Sequence, residues 1–296
     1  MILRIMGRAF FFLLLSLLIA GSLLAGDDGL QPVPLEQLKD RYLSPMGQTA
    51  LQVRPDDWLH AETKNFVFHY FSSHIANQAA VEAEFYYRFV SREMDKENES
   101  WERKGHIFIF ERPSDWRAFQ QSAQLDPWTG GIHRNNELFL LRRADHKWKG
   151  HLLGHEVTHL VINRFFGTGL PLWLNEGYAE YASRRAYASY YRARGYRAKP
   201  RSPGVTDGEF MPFSSFLNMQ GYPSEHKKVS VFYRQSERLV RFLAATDKEA
   251  FLKLFRFLAE GKYMDNALRQ AFGSRFLTFD QFEREFREYA SKDRED

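Results

Sequence analysis

Three segments of the chain have the hydrophobic pattern of β-strands. Residues 65–71 alternate weakly and are rich in aromatic side chains, whereas residues 106–110 (HIFIF) and 137–141 (ELFLL) are short apolar runs bounded by turn residues. Such runs are typical of strands. Between the first two segments, residues 76–94 have apolar positions three and four apart, which predicts a helix. We therefore expect a small mixed sheet with helices in the N-terminal half.

Apolar residues return at helical spacing after residue 150. They form one stripe that consists of Leu153, Val157, Leu160 and Val161. Gly167 is expected to end this helix, and Pro171 suits the first turn of the next one. Capping-box patterns at residues 246–249 and 278–281 each precede an amphipathic run. The pattern predicts an α+β fold whose C-terminal part, about residues 205–296, is all helical.

The first 60 residues differ from the rest of the chain. Arg4 and Arg8 precede the apolar run 9–20, and small residues follow, which is the layout of a secretory signal peptide over residues 1–26. An uncleaved N-terminal anchor is the alternative, although the run is shorter than the roughly 20 residues of a spanning helix. Residues 27–60 contain four prolines and little periodicity, so we predict an extended leader before a catalytic domain at 61–296.

The composition of the chain limits the cellular compartments and the classes of partner that are expected. The chain has no cysteine, which excludes disulfides and zinc–thiolate sites and suits a bacterial envelope better than a eukaryotic secretory route. Of the 41 Lys and Arg residues, 39 remain after residue 26, against 37 acids, so a dedicated nucleic-acid binder is not expected. We expect export to the periplasm or, with an uncleaved segment, tethering to the inner membrane by residues 1–25.

The most informative motif is the HEVTH run at residues 155–159. On a helix, His155 and His159 lie on one face and can bind one metal ion, while Glu156 projects beside them. A catalytic zinc needs a third protein ligand. No histidine stands where a metzincin would have its third, but Glu176 follows after sixteen residues and Glu180 lies one helical turn further.

HEVTH followed by WLNEGYAEY resembles the gluzincin metallopeptidases, specifically the peptidase-MA-like family, with the strong match at residues 150–182. The resemblance implies a thermolysin-like zincin core, in which the HExxH helix and a glutamate helix adjoin the sheet. It implies one Zn²⁺ ion held by His155, His159 and Glu176. Glu156 would be the general base that activates the metal-bound water. Glu180 would accept a hydrogen bond from a ligand histidine.

The same resemblance implies two further features. Tyr233 is the candidate for stabilising the oxyanion, with His226 behind it. The strand at 137–141 would be the edge against which an extended peptide substrate pairs. We expect an endopeptidase, because no motif for a free N-terminal amine is visible. The alternatives are an aminopeptidase-like hydrolase and, from another class, a non-catalytic zinc-stabilised envelope binding protein.

The stretch at residues 184–201 is basic and aromatic without any acid. Its ordinary interpretation is a solvated, partly flexible loop. Because it follows the motif directly, a further hypothesis is that Arg192, Arg194 and Arg197 border the cleft and favour acidic substrates. A third possibility is a surface for anionic polymers or lipid.

Overall fold

The computed structural model describes residues 29–99, 102–127, 129–142, 151–197, 201–202, 204–292 and 294–295. The predicted signal segment, residues 1–26, lies outside these ranges. Within them, no helix combines the length and the apolar composition that crossing a membrane requires.

A five-stranded mixed sheet forms the N-terminal half. Its strands are β1 Leu59–Glu62, β2 Phe66–Tyr70, β3 Gly105–Phe110, β4 Gly131–Arg134 and β5 Glu137–Leu141. Their order is β1-β2-β3-β5-β4, with β2, β3 and β5 parallel and the two outer strands antiparallel. The three strands predicted from the sequence are therefore the parallel centre of the sheet.

The prediction that β5 is the edge strand is wrong. β4 pairs antiparallel with β5 and takes the outer position, from Gly131 opposite Leu140 to Arg134 opposite Glu137. The two strands are joined through Asn135, whose φ of 56° lies in the left-handed region that Asn tolerates in tight turns. The glycines at 130 and 131 suggested a turn, and they concealed a short strand.

Helices make up most of the remaining described residues. They are α1 Pro45–Leu51, α2 Ser73–Glu93, α3 Pro113–Ser122, α4 Leu152–Phe166, α5 Leu172–Arg192, α6 Phe213–Phe216, α7 His226–Thr246, α8 Lys248–Ala259, α9 Met264–Phe272 and α10 Phe279–Ala290. Two-residue strands, β6 Arg201–Ser202 and β7 Arg294–Glu295, pair antiparallel. The C-terminal region is helical apart from this pair, and the fold is α+β as predicted.

The two capping predictions have different outcomes. Thr278 caps α10, since its hydroxyl accepts a hydrogen bond from the Gln281 amide. Asp247, not Thr246, caps α8 and accepts from the Ala250 amide. A carboxylate at this position also interacts favourably with the positive end of the helix dipole, which explains why it takes the capping role.

The larger core lies between one face of the sheet and the helices. Phe66 and Phe68 of β2 point to this side, where they meet α2 and α4. α5 and α7 cross closely at Gly177: a Cβ there would be 2.4 Å from the carbonyl oxygen of Ser236. Only glycine permits this approach, which places the first half of α7 beside the residues of α5 that carry the predicted site.

The N-terminal segment covers the opposite face of the sheet. Leu43 and Trp58 are buried there against Phe108 and Phe139 in a second, aromatic core. The predicted domain boundary at residue 60 falls inside β1, and residues 45–51 are a helix rather than an extended leader. Ser44 explains this helix, because its hydroxyl accepts from two amides of the first turn and Pro45 takes the first helical position.

Three histidines lie side by side on β1, β2 and β3 under this segment, and we call His60, His69 and His106 the histidine row. Nδ1 of His60 is 2.8 Å from Nδ1 of His69, and Nε2 of His69 is 3.0 Å from Nδ1 of His106. Nε2 of His106 lies 3.7 Å from Asp40. Burial lowers the pKa of His106 to about 4 and that of His69 well below its usual value. The row is therefore neutral near pH 7.

Candidate functional site

Helix α4 carries the first three residues of the predicted site. His155, Glu156 and His159 are all buried, with exposed fractions of 5 to 7%. A Cβ on Gly154 would lie 3.3 Å from Ser183, so α5 packs closely against this part of α4. The contact aligns the HExxH face of α4 with the Glu176 face of α5.

The structure brings His155, His159 and Glu176 together, and we call these residues the metal cluster. The two Nε2 atoms are 3.0 Å apart. Oε2 of Glu176 lies 3.4 Å from Nε2 of His155 and 3.5 Å from Nε2 of His159. Three ligand atoms from two helices thus converge within 4.8 Å.

Glu180 faces the outer nitrogen of the first histidine. Its Oε1 lies 3.2 Å from Nδ1 of His155. Its Oε2 accepts from Arg184 at 2.7 Å and lies 3.5 Å from Nε2 of His151. Glu180 therefore connects a cluster histidine with Arg184 and His151, and His151 contacts this carboxylate rather than joining the metal cluster.

Asn175 contacts the outer nitrogen of the second histidine, as Glu180 does for the first. Its Oδ1 is 3.1 Å from Nδ1 of His159, the nitrogen that points away from the cluster. A hydrogen bond here directs the Nε2 lone pair of His159 toward the cluster centre. Sequence reasoning did not assign Asn175 a role, although its position immediately before Glu176 was a usable signal.

The edge strand β4 lies beside the HExxH face of α4. A Cβ on Gly131 would be 3.1 Å from Oε1 of Glu156, so the glycine leaves room for that carboxylate. Two positions further along β4, the ring of His133 lies against that of His159, with centroids 6.2 Å apart. Nδ2 of Asn163 contacts Nδ1 of His133 at 3.3 Å. The sequence offered no clear signal for Gly131 or His133, because β4 was not predicted.

The electrostatics of the metal cluster favour a positive charge at its centre. Burial alone would lower the pKa of His155, but Glu176 and Glu180 outweigh it and hold that pKa well above the usual value. Burial likewise opposes ionisation of Glu176 and Glu180, yet the histidines keep both pKa values well below the usual range. Glu156 differs, because burial raises its pKa.

Two tyrosines lie on the α7 side of the cluster. The hydroxyl of Tyr222, in the loop before α7, donates to Oε1 of Glu176 at 2.8 Å. Its ring stacks on that of Tyr233 at 5.9 Å, and the Tyr233 ring is 6.3 Å from that of His155. Tyr222 was missed by sequence reasoning, because nothing near it in the sequence marks a site. The side chain of His226 lies outside the described residues.

The basic stretch, residues 184–201, begins on α5, where its residues lie at increasing distance from the metal cluster. Sixteen residues separate Glu176 from Arg192. At a rise of 1.5 Å per residue, this distance is about 24 Å along the helix axis. The hypothesis that these arginines border the cleft therefore has no support from their position. The structure describes the stretch only up to residue 197 and the backbone of 201.

The donor set suits a zinc ion. Oε2 of Glu176 is buried and has no hydrogen-bond partner among the described residues. The Nε2 atoms of His155 and His159 face each other, so at most one proton can lie between them. Two imidazole nitrogens and one carboxylate oxygen are a ligand set that catalytic zinc sites use.

Comparison with known proteins agrees with this geometry. A search of curated proteins gave no match. A family model described as the peptidase MA superfamily matches residues 102–289, which include β3, both helices of the metal cluster and most of the C-terminal region. Because the match covers more than half of the sequence, the chain belongs to the peptidase MA superfamily.

Proposed function

We propose that this protein is a zinc-dependent endopeptidase of the bacterial envelope. The observation that carries the proposal is the convergence of His155, His159 and Glu176 on one point, with the buried carboxylate of Glu156 beside it. Membership in the peptidase MA superfamily supports a hydrolase that cleaves peptide bonds. A zinc ion held by the cluster would supply Lewis-acid activation of water and of the scissile carbonyl.

Glu156 is the proposed general base and acid. Its pKa is raised by burial, which makes it a better proton acceptor than an exposed glutamate and a carrier that can return the proton to the leaving amine. Gly131 has no side chain that would crowd Oε1 of Glu156. Glu180 and Asn175 hold the two histidine rings in orientation, so that both Nε2 atoms stay directed at one point.

β4 is the proposed docking strand for the substrate. It is an outer strand of the sheet, and its residues Gly131 and His133 face α4 next to Glu156 and His159. An extended peptide that pairs with such an edge is held by main-chain hydrogen bonds. This mode supports an endopeptidase with limited dependence on side-chain identity.

Tyr233 stays the candidate for oxyanion stabilisation, with its ring 6.3 Å from that of His155. Removing one oxyanion donor typically costs about 10²- to 10³-fold in kcat. We therefore expect Tyr233→Phe to lower kcat by about this factor while zinc content stays unchanged, as measured by turnover at saturating peptide and by metal analysis. An unchanged kcat would remove Tyr233 from the mechanism.

The proposal is tested with Glu156→Gln. Because Glu156 is not a cluster ligand, we expect the variant to keep one zinc per chain and to lose hydrolysis of a broad peptide library by about 10²- to 10⁴-fold, the usual contribution of a general base. The matched control is Glu111→Gln, a partly buried glutamate outside the cluster. It should retain full activity.

Two outcomes would contradict the proposal. If the wild-type protein with bound zinc hydrolyses no peptide, the non-catalytic envelope binding protein becomes the better interpretation. If Glu156→Gln retains activity, another group must be the base. The buried position of Glu156 speaks against the binding protein, because a purely structural zinc site has no use for that carboxylate.

A further inference from the structure

The end of the domain at which α5 finishes is basic and aromatic. Residues 184–201 contain seven Lys and Arg residues, four Tyr residues and no Asp or Glu. Arg184 pairs with Glu180 and Arg185 pairs with Glu93, so these two charges are neutralised within the fold. The other arginines that the structure describes in this stretch are exposed; they are Arg192, Arg194 and Arg197, which we call the basic end.

The basic end makes no ion pair in the described part of the protein, although the carboxylate of Glu82 interacts electrostatically with Arg194 at longer range. No described carboxylate lies within 4.0 Å of its three guanidinium groups. The guanidinium of Arg194 lies 3.5 Å from the centre of the Tyr190 ring, which orients its charge without neutralising it. Tyr196 beside it is 64% exposed. Exposed arginines beside an exposed tyrosine are typical of a surface that meets lipid headgroups.

α2 and α5 lie side by side and run in opposite directions. Arg185 of α5 meets Glu93 at the C-terminal end of α2. Further along α5, the Tyr190 ring packs 5.3 Å from that of Phe85, which is two turns earlier in α2. The basic end therefore lies beside the N-terminal half of α2.

The first described residues lie at the same end of the domain. The amide of Leu30 donates to Oδ1 of Asn77, one turn into α2, at 2.7 Å. The apolar run and its extension to Ala25 precede Leu30 by only five residues. Five residues span at most about 18 Å. An apolar segment held in a bilayer would therefore keep this end of the domain within about 18 Å of the lipid surface.

We propose that, in a protein that retains the N-terminal segment as an anchor, the basic end lies on an anionic membrane surface. This goes beyond the proposed peptidase function and does not depend on it. α5 then leads away from the membrane and holds Glu176 up to about 24 Å further out than Arg192.

The experiment uses the full-length protein with vesicles of phosphatidylcholine alone and of phosphatidylcholine mixed with phosphatidylglycerol. Binding to the zwitterionic vesicles measures the contribution of the apolar segment. The additional binding to the anionic vesicles measures the contribution of the basic end. Each basic residue contributes about fivefold to binding near an anionic surface. We expect the variant Arg192→Glu, Arg194→Glu, Arg197→Glu to bind anionic vesicles at least about a hundredfold more weakly, the factor for loss of three positive charges alone, and zwitterionic vesicles unchanged.

The matched control reverses three exposed charges elsewhere, Arg117, Lys253 and Arg269, and should bind both vesicles like the wild type. The additional binding of the wild type should also fall as salt is raised, because lipid charges are screened. Equal loss in both triple variants would show a net-charge effect and overturn the proposal. So would a wild type without preference for anionic vesicles, or a basic-end variant that loses binding to RNA but not to vesicles.

Discussion

Two groups of buried histidines lie on opposite sides of the same sheet, and their geometry differs. In the metal cluster, two Nε2 atoms and one carboxylate oxygen point at a common centre. In the histidine row, each ring nitrogen points at the next ring, so the contacts form a line from His60 to His106 that ends near Asp40. Convergence produces a site for a cation, whereas a line needs only protons shared between neutral rings.

The charges around the two groups explain the opposite shifts in pKa. Burial disfavours a protonated ring in both places. In the metal cluster, two carboxylates outweigh burial and raise the pKa of His155. In the row, burial dominates and lowers the pKa of His106 to about 4, since the partly exposed Asp40 is its main compensating charge. Buried histidine alone is therefore no sign of a metal site, and the accompanying carboxylates are the distinguishing feature.

The largest effect is expected from removing one histidine of each group. His159→Ala deletes a cluster ligand, so we expect zinc per chain to fall from one to near zero and peptide hydrolysis to become undetectable. His106→Ala should keep one zinc and measurable hydrolysis, but lose about 1–3 kcal/mol of unfolding free energy. Metal analysis, turnover and denaturant unfolding of both variants measure the difference. Loss of zinc from His106→Ala would contradict the conclusion that only the metal cluster binds the ion.

The sequence predicted one of the two groups. His155 and His159 are four residues apart, so helical spacing placed them on one face, whereas the assignment of Glu176 on the next helix depended on the resemblance to the gluzincins. The histidine row joins residues up to 46 positions apart that become neighbours only through the strand register. Sequence alone does not give that register. The same limit concealed β4, and with β4 the positions of Gly131 and His133.

The second effect concerns acid stability. Free histidine titrates near 6.5, and burial lowers the pKa of His106 to about 4. Between these values the unfolded chain binds more protons than the folded chain, so stability falls as the pH is lowered from about 6.5 to about 4. For His106 alone the loss is about 3 kcal/mol.

Unfolding free energies at several pH values between 7 and 4 check this expectation. His106→Gln removes the titration, so the variant should lose less stability than the wild type over the same interval. The charged groups that act on His106 are Asp40, Arg103 and Glu62, and none of them is changed by the substitution. Parallel pH curves for the two proteins would show that the row does not control acid stability.

The third prediction compares the carboxylates that lie next to the two groups, Glu180 at the metal cluster and Asp40 at the histidine row. Glu180→Gln removes the negative charge near Nδ1 of His155, and such outer partners typically contribute 10- to 100-fold to metal affinity. We expect zinc affinity to fall by that factor in competition with a chelator. Asp40→Asn is the matched change at the row, where the contact is longer and partly exposed. It should leave zinc affinity unchanged and cost less than about 1 kcal/mol of stability.

Other parts of the fold show why local signals were insufficient. The Ser44-Pro45 start of α1 was a readable helix signal, but four prolines in residues 27–60 outweighed it in the interpretation of that segment. The burial of Leu43 and Trp58 depends on the aromatic face of β3 and β5, which is distant in sequence. Tyr222 reaches Glu176 from a loop 46 residues later, and no periodicity marks such a contact.

The smallest effect is expected at that phenol. Oε1 of Glu176 accepts the Tyr222 hydroxyl, which leaves Oε2 as the oxygen that faces the two histidines. Tyr222→Phe removes one hydrogen bond to a charged group, so we expect zinc affinity to fall about tenfold, while kcat at saturating zinc changes little. Tyr233→Phe is the matched control, because it removes the phenol stacked on Tyr222 and keeps the hydrogen bond from Tyr222 to Glu176, so it should leave zinc affinity unchanged. If Tyr222→Phe instead lowered kcat at full zinc occupancy and Tyr233→Phe did not, the oxyanion role would belong to Tyr222. The positions of the three ligand atoms in the metal cluster would then be determined by α4 and α5 alone.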